Sequence, residues 1–287
     1  MKTLIGFVLL ASSANIYAHQ PVMDMAPRWA EGYGFQFRTE HYGSNDLIKG
    51  SSDVSNPEGL KRYVTTVWLE SVYTFNRNIR ATLKIPYIDQ RRTTSLNGVG
   101  VRQKNTGIGD VVLALPLKRY KNRGSVTQNW GFTPSLRMPT GESSGSFPLS
   151  DGSWDAGLSL SYAWENPLIY QFYDLYYWKQ GSGRHAMETG DSWGVDINIG
   201  LHPWHSNETD TGVFLLWDVS AHHEEPPNTR NRTTASGGDR VHTGPVLVVY
   251  RDNLMIRAEY KFVAYENADR FGLSRGSEVS IAVGLTF

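Results

Sequence analysis

The sequence predicts an all-β protein, a transmembrane antiparallel up-and-down β-barrel of about 12 strands. The segment from Glu278 to Phe287 alternates strictly between apolar residues and polar or small ones, and it ends on an aromatic residue. This two-residue period is typical of the last strand of a bacterial outer-membrane barrel. Segments with the same period recur along the chain, and the connections between them are alternately long and short.

The N-terminus has the residue order of a secretory signal peptide. A lysine near Met1 is followed by an apolar stretch over residues 4–11, and Ala18 precedes a polar segment. We expect a signal peptide over 1–18, cleaved after Ala18, a short periplasmic segment over 19–30 and the barrel over 31–287. The apolar stretch is too short to span a bilayer, and no later run of about 18 apolar residues is uninterrupted. The bacterial outer membrane is therefore the predicted location.

Composition agrees with this class. The chain has 28 basic and 28 acidic residues, and this neutral balance argues against nucleic acid as a partner. It has no cysteine. A closed barrel needs no disulfide, because hydrogen bonds between strands satisfy its backbone.

The first three strands are predicted over Glu31 to Tyr42, Tyr63 to Phe75 and Ile79 to Tyr87. In the first, Tyr33, Phe35 and Phe37 share one face, which is the pattern of a strand with lipid on one side and water on the other. Residues 76–78 form the tight turn that joins the second and third strands into a hairpin.

The middle strands are predicted near residues 107–120, 129–138, 154–165 and 168–179. In the last of these almost every residue is aromatic or apolar, so periodicity does not assign its faces. Further strands follow near 193–202, 213–222, 241–250, 254–264 and 278–287.

The long connections are expected outside the cell and the short ones in the periplasm. Long loops are predicted near residues 43–60, 92–106, 139–151, 181–190, 224–239 and 266–274. Aromatic residues near strand ends are expected at the two lipid–water boundaries. They are Tyr42, Tyr73, Phe75, Tyr120, Tyr162, Trp164, Trp204, Tyr250 and Tyr265.

The polar strand faces predict a lumen lined by charges of both signs, which disfavours strong ion selectivity. The predicted pore-lining residues are Arg38, Glu40, Glu70, Arg80, Lys84, Asp110, Lys118, Arg137, Asp155, Asp196, Asp218, Arg257, Glu259, Lys261 and Glu278. A barrel of about twelve strands is narrower than a porin of 16–18 strands. These charges therefore either line a solute path or pair into a plug that stabilises the barrel.

Two segments carry a family resemblance. They are Thr106 to Lys118, which begins Thr-Gly-Ile-Gly-Asp, and Gly131 to Gly141, which ends Pro-Thr-Gly. They resemble the outer-membrane channels grouped with the meta-pathway phenol-degradation proteins. The resemblance implies uptake or passage of small solutes, aromatic ones among them, and it supplies no catalytic residues.

The sequence predicts no catalytic site, no metal site and no cofactor, because its candidate residues do not converge. His41 and Ser71 fall on the outward parity but toward opposite ends of their strands, so they do not make a nucleophile and base pair. His222 and His223 are adjacent on a strand and would point to opposite faces. The other candidate metal ligands are His202 with His205 and, at the mature N-terminus, His19 with Met23 and Met25.

Together these patterns predict a channel that passes small solutes, aromatic or hydrophobic compounds among them, across the outer membrane by passive diffusion. The alternatives are a lipid-active barrel enzyme, a closed structural or surface barrel, and a soluble periplasmic sandwich or lipocalin-like barrel with its apolar face inside. The expected partners are outer-membrane lipid, the small-molecule solute, and the barrel-assembly machinery acting on the strand that ends at Phe287.

Overall fold

A computed structural model describes residues 30–96, 99–145, 147–182, 190–206, 208–226 and 237–287. In these ranges the secondary structure is entirely β. No helix among the described residues is long and apolar enough to cross a membrane. The strands are β1 Gly32–Ser44, β2 Leu47–Gly50, β3 Ser52–Val54, β4 Lys61–Asn76, β5 Ile79–Leu96, β6 Val99–Ile108, β7 Val111–Ala114, β8 Leu117–Arg123, β9 Val126–Met138, β10 Asp155–Glu165, β11 Ile169–Lys179, β12 Ser192–Ser206, β13 Thr211–Glu224, β14 Gly238–Arg251, β15 Leu254–Leu273 and β16 Glu278–Thr286.

These strands form a closed antiparallel barrel with 12 strand positions, as the sequence predicts. β6, β7 and β8 follow one another at a single position, and the short hairpin of β2 and β3 lies in the first loop against β15. β16 closes the barrel on β1, in a register that runs from Gly34 opposite Thr286 to Tyr42 opposite Glu278. The backbone of Phe287 pairs in both directions with Tyr33, which extends the closing ladder to the last residue.

The strand position of β6, β7 and β8 has two breaks, one at Gly109 and one at Pro116, where the proline has no N–H for the ladder. The wall remains hydrogen-bonded across both. The N–H of Gly109 donates to the carbonyl of Pro86 at 2.9 Å, and the N–H of Leu115 donates to that of Pro134 at 3.0 Å. The sequence motif Gly-Ile-Gly-Asp therefore marks a short break within one strand position of the barrel and not a loop.

The outer face of the barrel is apolar, as the two-residue period predicts. Outward side chains stay exposed on every side of the barrel, for example Phe37 at 61%, Trp130 at 61%, Leu160 at 52% and Ile281 at 53%. A soluble barrel would bury such residues inside, so the soluble alternatives do not describe this fold. The structure also assigns β11, whose faces periodicity leaves open: Leu175 and Tyr177 point outward.

Three expectations about loops and boundaries are wrong in detail. The predicted loops near 92–106 and 266–274 are largely strand, because β5 pairs with β6 far beyond the apolar belt and β15 runs to Leu273. Backbone pairing needs no apolar face, so polar strands continue into water. Tyr42, Tyr120 and Tyr250 were expected at the lipid–water boundaries, but all three occupy inward positions.

Candidate functional site

The barrel interior holds the candidate site, and its first charge cluster lies on β1, β4 and β5. The Arg38 guanidinium donates to Glu70 Oε1 from Nη2 at 2.6 Å and from Nε at 3.1 Å. Arg38 also pairs with Glu40, and the Trp68 indole donates to Glu40 Oε2 at 2.7 Å. Lys84 Nζ lies 3.9 Å from Glu70 Oε1 at the edge of this cluster. The strands meet in register here, with Glu70 opposite Lys84, so neighbouring polar faces combine into one network.

A second charge cluster lies on β12, β13 and β15, and only β16 separates β15 from β1. Lys261 Nζ is 2.8 Å from Asp218 Oδ1 and 3.1 Å from Glu259 Oε1, and Arg257 Nη2 is 3.1 Å from Glu259 Oε2. These side chains are largely buried. Ser220 joins the cluster to β12, because its hydroxyl donates to Asp196 Oδ1 at 2.5 Å. Ion pairs thus occupy this side of the interior.

Two further groups of predicted residues lie toward the loop end of the barrel, the end with the long connections. Arg137 Nη1 is 3.1 Å from Asp155 Oδ2, and its guanidinium lies over the Trp178 ring at 4.5 Å. Asp110 accepts hydrogen bonds from the hydroxyl of Ser150 at 2.8 Å and from the N–H of Gly141 at 3.0 Å. Asp110 therefore anchors the loop that follows β9.

Glu278, the last of the predicted acidic residues, pairs with Arg275 at 3.0 Å. The Arg275 guanidinium lies 4.4 Å over the ring of Tyr42, which explains why that tyrosine points inward. This contact ties the connection between β15 and β16 to β1.

Arg80 and Lys118 belong to the turn end, the end with the short connections. Arg80 is completely buried and donates from Nη2 to the Tyr120 hydroxyl at 2.9 Å. Lys118 lies on β8 opposite Gly131. The structure thus brings the predicted pore-lining residues to the interior as several separate clusters and not as one continuous row.

An apolar cluster inside the turn end was not predicted. It comprises Tyr170, Phe214, Leu216, Val246, Val248, Tyr250 and Met255. The two-residue period predicts apolar residues on one face of a strand such as β13, yet Phe214 is 1% exposed on the other face. The signal was present, because residues 213–217 are an uninterrupted apolar run, the pattern of a strand buried on both faces.

Asp174 is an interior carboxylate that sequence reasoning missed. It lies on β11, directly opposite Asp196 on β12 and opposite Ser161 on β10. The aromatic residues around it concealed the period of the strand. Its charge was the available signal, since a carboxylate in the middle of an outer-membrane strand is expected to face inward.

The histidines lie in three different environments. His202 is buried, stacks on Phe214 at 4.1 Å between ring centroids and contacts the Tyr250 hydroxyl at 3.2 Å. His205 contacts the same hydroxyl at 2.9 Å. His222 and His223 point to opposite faces of β13, because the strand continues to Glu224.

The part of the chain that the structure describes holds no metal-binding cluster, and it keeps His41 and Ser71 apart. It holds no group of three or more His, Asp or Glu that could bind a metal ion. His41 contacts the Thr65 hydroxyl at 2.9 Å, while Ser71 lies opposite Phe35, farther along the strand pair. The candidates at His19, Met23 and Met25 lie outside the described residues.

A closed twelve-strand barrel with apolar side chains outside and charged ones inside defines a transmembrane β-barrel of the outer-membrane class. Within that class, the chain belongs to the family described as "Putative MetA-pathway of phenol degradation", whose model matches residues 40–262. The resemblance drawn from the two sequence motifs is thereby confirmed.

The chain is similar to several solved structures. The COG4313 outer membrane channel from Pseudomonas putida F1 has a TM-score of 0.69 at 14% identity, over 92% of this chain and 98% of that one. The NanC porin has a TM-score of 0.45 at 13% identity, over 88% and 98%. A Pseudomonas aeruginosa FadL homologue has a TM-score of 0.41 at 8% identity, over 90% of each chain. No curated protein sequence matches the chain.

Proposed function

We propose that this protein is an outer-membrane channel through which small solutes pass by passive diffusion. The observation that carries the proposal is a closed barrel in which inward charges stay partly exposed. Lys84 keeps 39% of its side chain exposed, Arg137 31% and Arg38 22%. Inward side chains with exposed surface border space that water can occupy, which a fully packed interior would lack.

The proposed solutes include aromatic and hydrophobic compounds. The family description refers to phenol degradation, and the Pseudomonas putida relative is itself a channel. The paired charges of the interior would orient polar groups of such a solute.

The fifteen inward or near-inward charges predicted from the sequence are proposed to line this path. Two groups of these charges border it on neighbouring parts of the wall: Arg38, Glu40 and Glu70 on β1 and β4, and Asp218, Glu259 and Lys261 on β13 and β15. Both groups carry both signs, so we expect only weak preference between cations and anions.

A closed structural barrel is the second candidate, and a specific observation favours it. Arg80 and Val248 are fully buried and Phe214 and Asp218 are nearly so, which shows tight packing over part of the interior. A lipid-active enzyme receives no comparable support from the described residues.

Conductance distinguishes an open from a closed barrel. The mature chain, refolded in detergent and inserted in a planar bilayer, is expected to give discrete current steps. Replacing Arg38 by Ala removes the cation between Glu40 and Glu70, so the reversal potential in a salt gradient should shift toward cation preference. Arg137→Ala likewise removes the cation beside Asp155 and should shift the reversal potential in the same direction.

Lys179→Gln serves as the matched control, because Lys179 is an exposed cation on the outer face and pairs with Asp191. Its current steps and reversal potential should equal those of the wild type. A folded barrel that never conducts, or steps that Arg38→Ala and Arg137→Ala leave unchanged, would refute the proposed pore.

The proposed location and orientation are tested by labelling cells. Because the chain has no cysteine, a single one introduced at Ser144 in a long loop or at Lys121 near a short turn gives a unique target. A membrane-impermeant maleimide applied to intact cells should label the Ser144→Cys protein. The Lys121→Cys protein should react only after the outer membrane is permeabilised. The reverse pattern would invert the proposed orientation.

A further inference from the structure

We propose that the outer face of β4, β5 and β6 binds the phosphate groups of a phosphorylated glycolipid in the outer membrane leaflet. This inference rests on the proposed function insofar as it puts the loop end outside the cell. The surface, called here the basic patch, consists of Lys61, Arg91, Arg102 and Lys104. All four residues are exposed, and each lies at an outward position of its strand.

Strand register arranges the basic patch in two rows. Arg91 lies directly opposite Lys104, and Tyr63 flanks Arg91 on the other side. In the next row Lys61 and Arg102 lie on either side of Thr93. Neighbouring strands are about 4.8 Å apart, so these rows span roughly 10 Å across the surface. Such an area matches a headgroup that carries more than one phosphate.

The basic patch lies at the level of lipid headgroups. Two rows below Arg91 and Lys104, toward the turn end, Val67, Tyr87 and Ile108 form an exposed apolar row. Four residues of a strand span roughly 13 Å, and a barrel strand tilts by about 40°. The cations therefore stand roughly 10 Å above the apolar row, and their flexible side chains can reach down to the headgroups.

The charges of the basic patch are incompletely balanced. Asp89, one row below, contacts Arg91 Nη2 at 3.1 Å and Lys104 Nζ at 3.3 Å through the same oxygen, Oδ2. Arg91 and Lys104 nonetheless retain 63% and 55% exposure. Like charges directly opposite on neighbouring strands destabilise a sheet, and a bound phosphate between them would offset this cost.

Another outward cation at the loop end is differently arranged. Lys179 Nζ lies 2.6 Å from Asp191 Oδ2, so this lysine has a carboxylate of its own. On the wall strands that the structure describes, the excess of outward positive charge at the loop end therefore lies on β4, β5 and β6. A cationic surface directly above an apolar one fits an amphiphile, whose chains contact the apolar row while its phosphates contact the basic patch.

Binding is tested with the mature barrel in detergent and two probes. One probe is lipid A, an acylated disaccharide with two phosphates, and the other is the same glycolipid without phosphates. Wild-type protein should bind the phosphorylated probe more tightly than the unphosphorylated one. This difference in affinity should decrease as the salt concentration is raised. The R91Q/K104Q variant should bind it roughly 30-fold more weakly, because each cation near an anionic lipid contributes a factor of about five.

K61Q/R102Q should lose a comparable factor, whereas K179Q should bind like the wild type. Each variant is first shown to be folded by its heat-dependent shift in electrophoretic mobility. Equal affinity for both probes, or unchanged affinity of R91Q/K104Q and K61Q/R102Q, would overturn the inference, as would an equal loss in K179Q. Conductance is recorded separately, so a barrel that binds lipid but does not conduct refutes only the channel.

Discussion

Replacing Lys261 by Met is expected to lower the free energy of unfolding of the barrel by about 3–5 kcal/mol. Lys261 contacts both Asp218 and Glu259, whose side chains are 2% and 8% exposed. The substitution keeps the length of the side chain but removes the cation, and Arg257 then faces Glu259 while Asp218 loses this partner. A buried carboxylate without its cation bears the full cost of desolvation.

Urea unfolding in detergent or vesicles, followed by tryptophan fluorescence, measures this loss, and Lys84→Met is the matched control. Lys84 also points inward, but it is 39% exposed and lies 3.9 Å from a carboxylate that Arg38 already contacts. Its replacement should cost less than about 1 kcal/mol, as for other exposed pairs. Adding Asp218→Asn to Lys261→Met should restore part of the lost stability. Equal losses for Lys261→Met and Lys84→Met would contradict a buried network.

Strand positions and facing were largely predictable, because side chains alternate across a strand whatever its neighbours are. Ion-pair partners were not. Arg38 and Glu70 meet because β1 and β4 pair with Gln36 opposite Glu70, and that register is set by a loop whose length the period does not determine. Sequence reasoning could therefore place these charges inside but could not say which of them would pair.

The remaining misses have two physical causes. Where both faces of a strand are apolar, as over residues 213–217, a two-residue period cannot show which side chains point inward. The inner apolar cluster was therefore overlooked. Where both faces are polar, as over residues 92–94, the sequence indicated a loop, although backbone pairing of β5 with β6 continues there. The basic patch became visible only once that pairing put Arg91 opposite Lys104.

Replacing Leu160 by Arg is expected to lower the free energy of unfolding in lipid vesicles by about 2–4 kcal/mol. Leu160 lies at the centre of β10, points outward and is 52% exposed, so the new guanidinium would sit near the middle of the bilayer. An arginine there either loses the hydration of its guanidinium or pulls water and lipid headgroups into the bilayer, and both cost free energy. The interior charge network is untouched, so conductance should be unchanged.

Leu168→Arg provides the depth control, because Leu168 is similarly exposed, at 55%, but lies in the turn before β11. At that boundary the same substitution should cost no more than about 1 kcal/mol. A soluble barrel would show no such dependence on depth, since both side chains would already face water. Equal costs at Leu160 and Leu168 would therefore contradict a lipid-facing surface, whereas a gradient between them would locate the bilayer on the barrel.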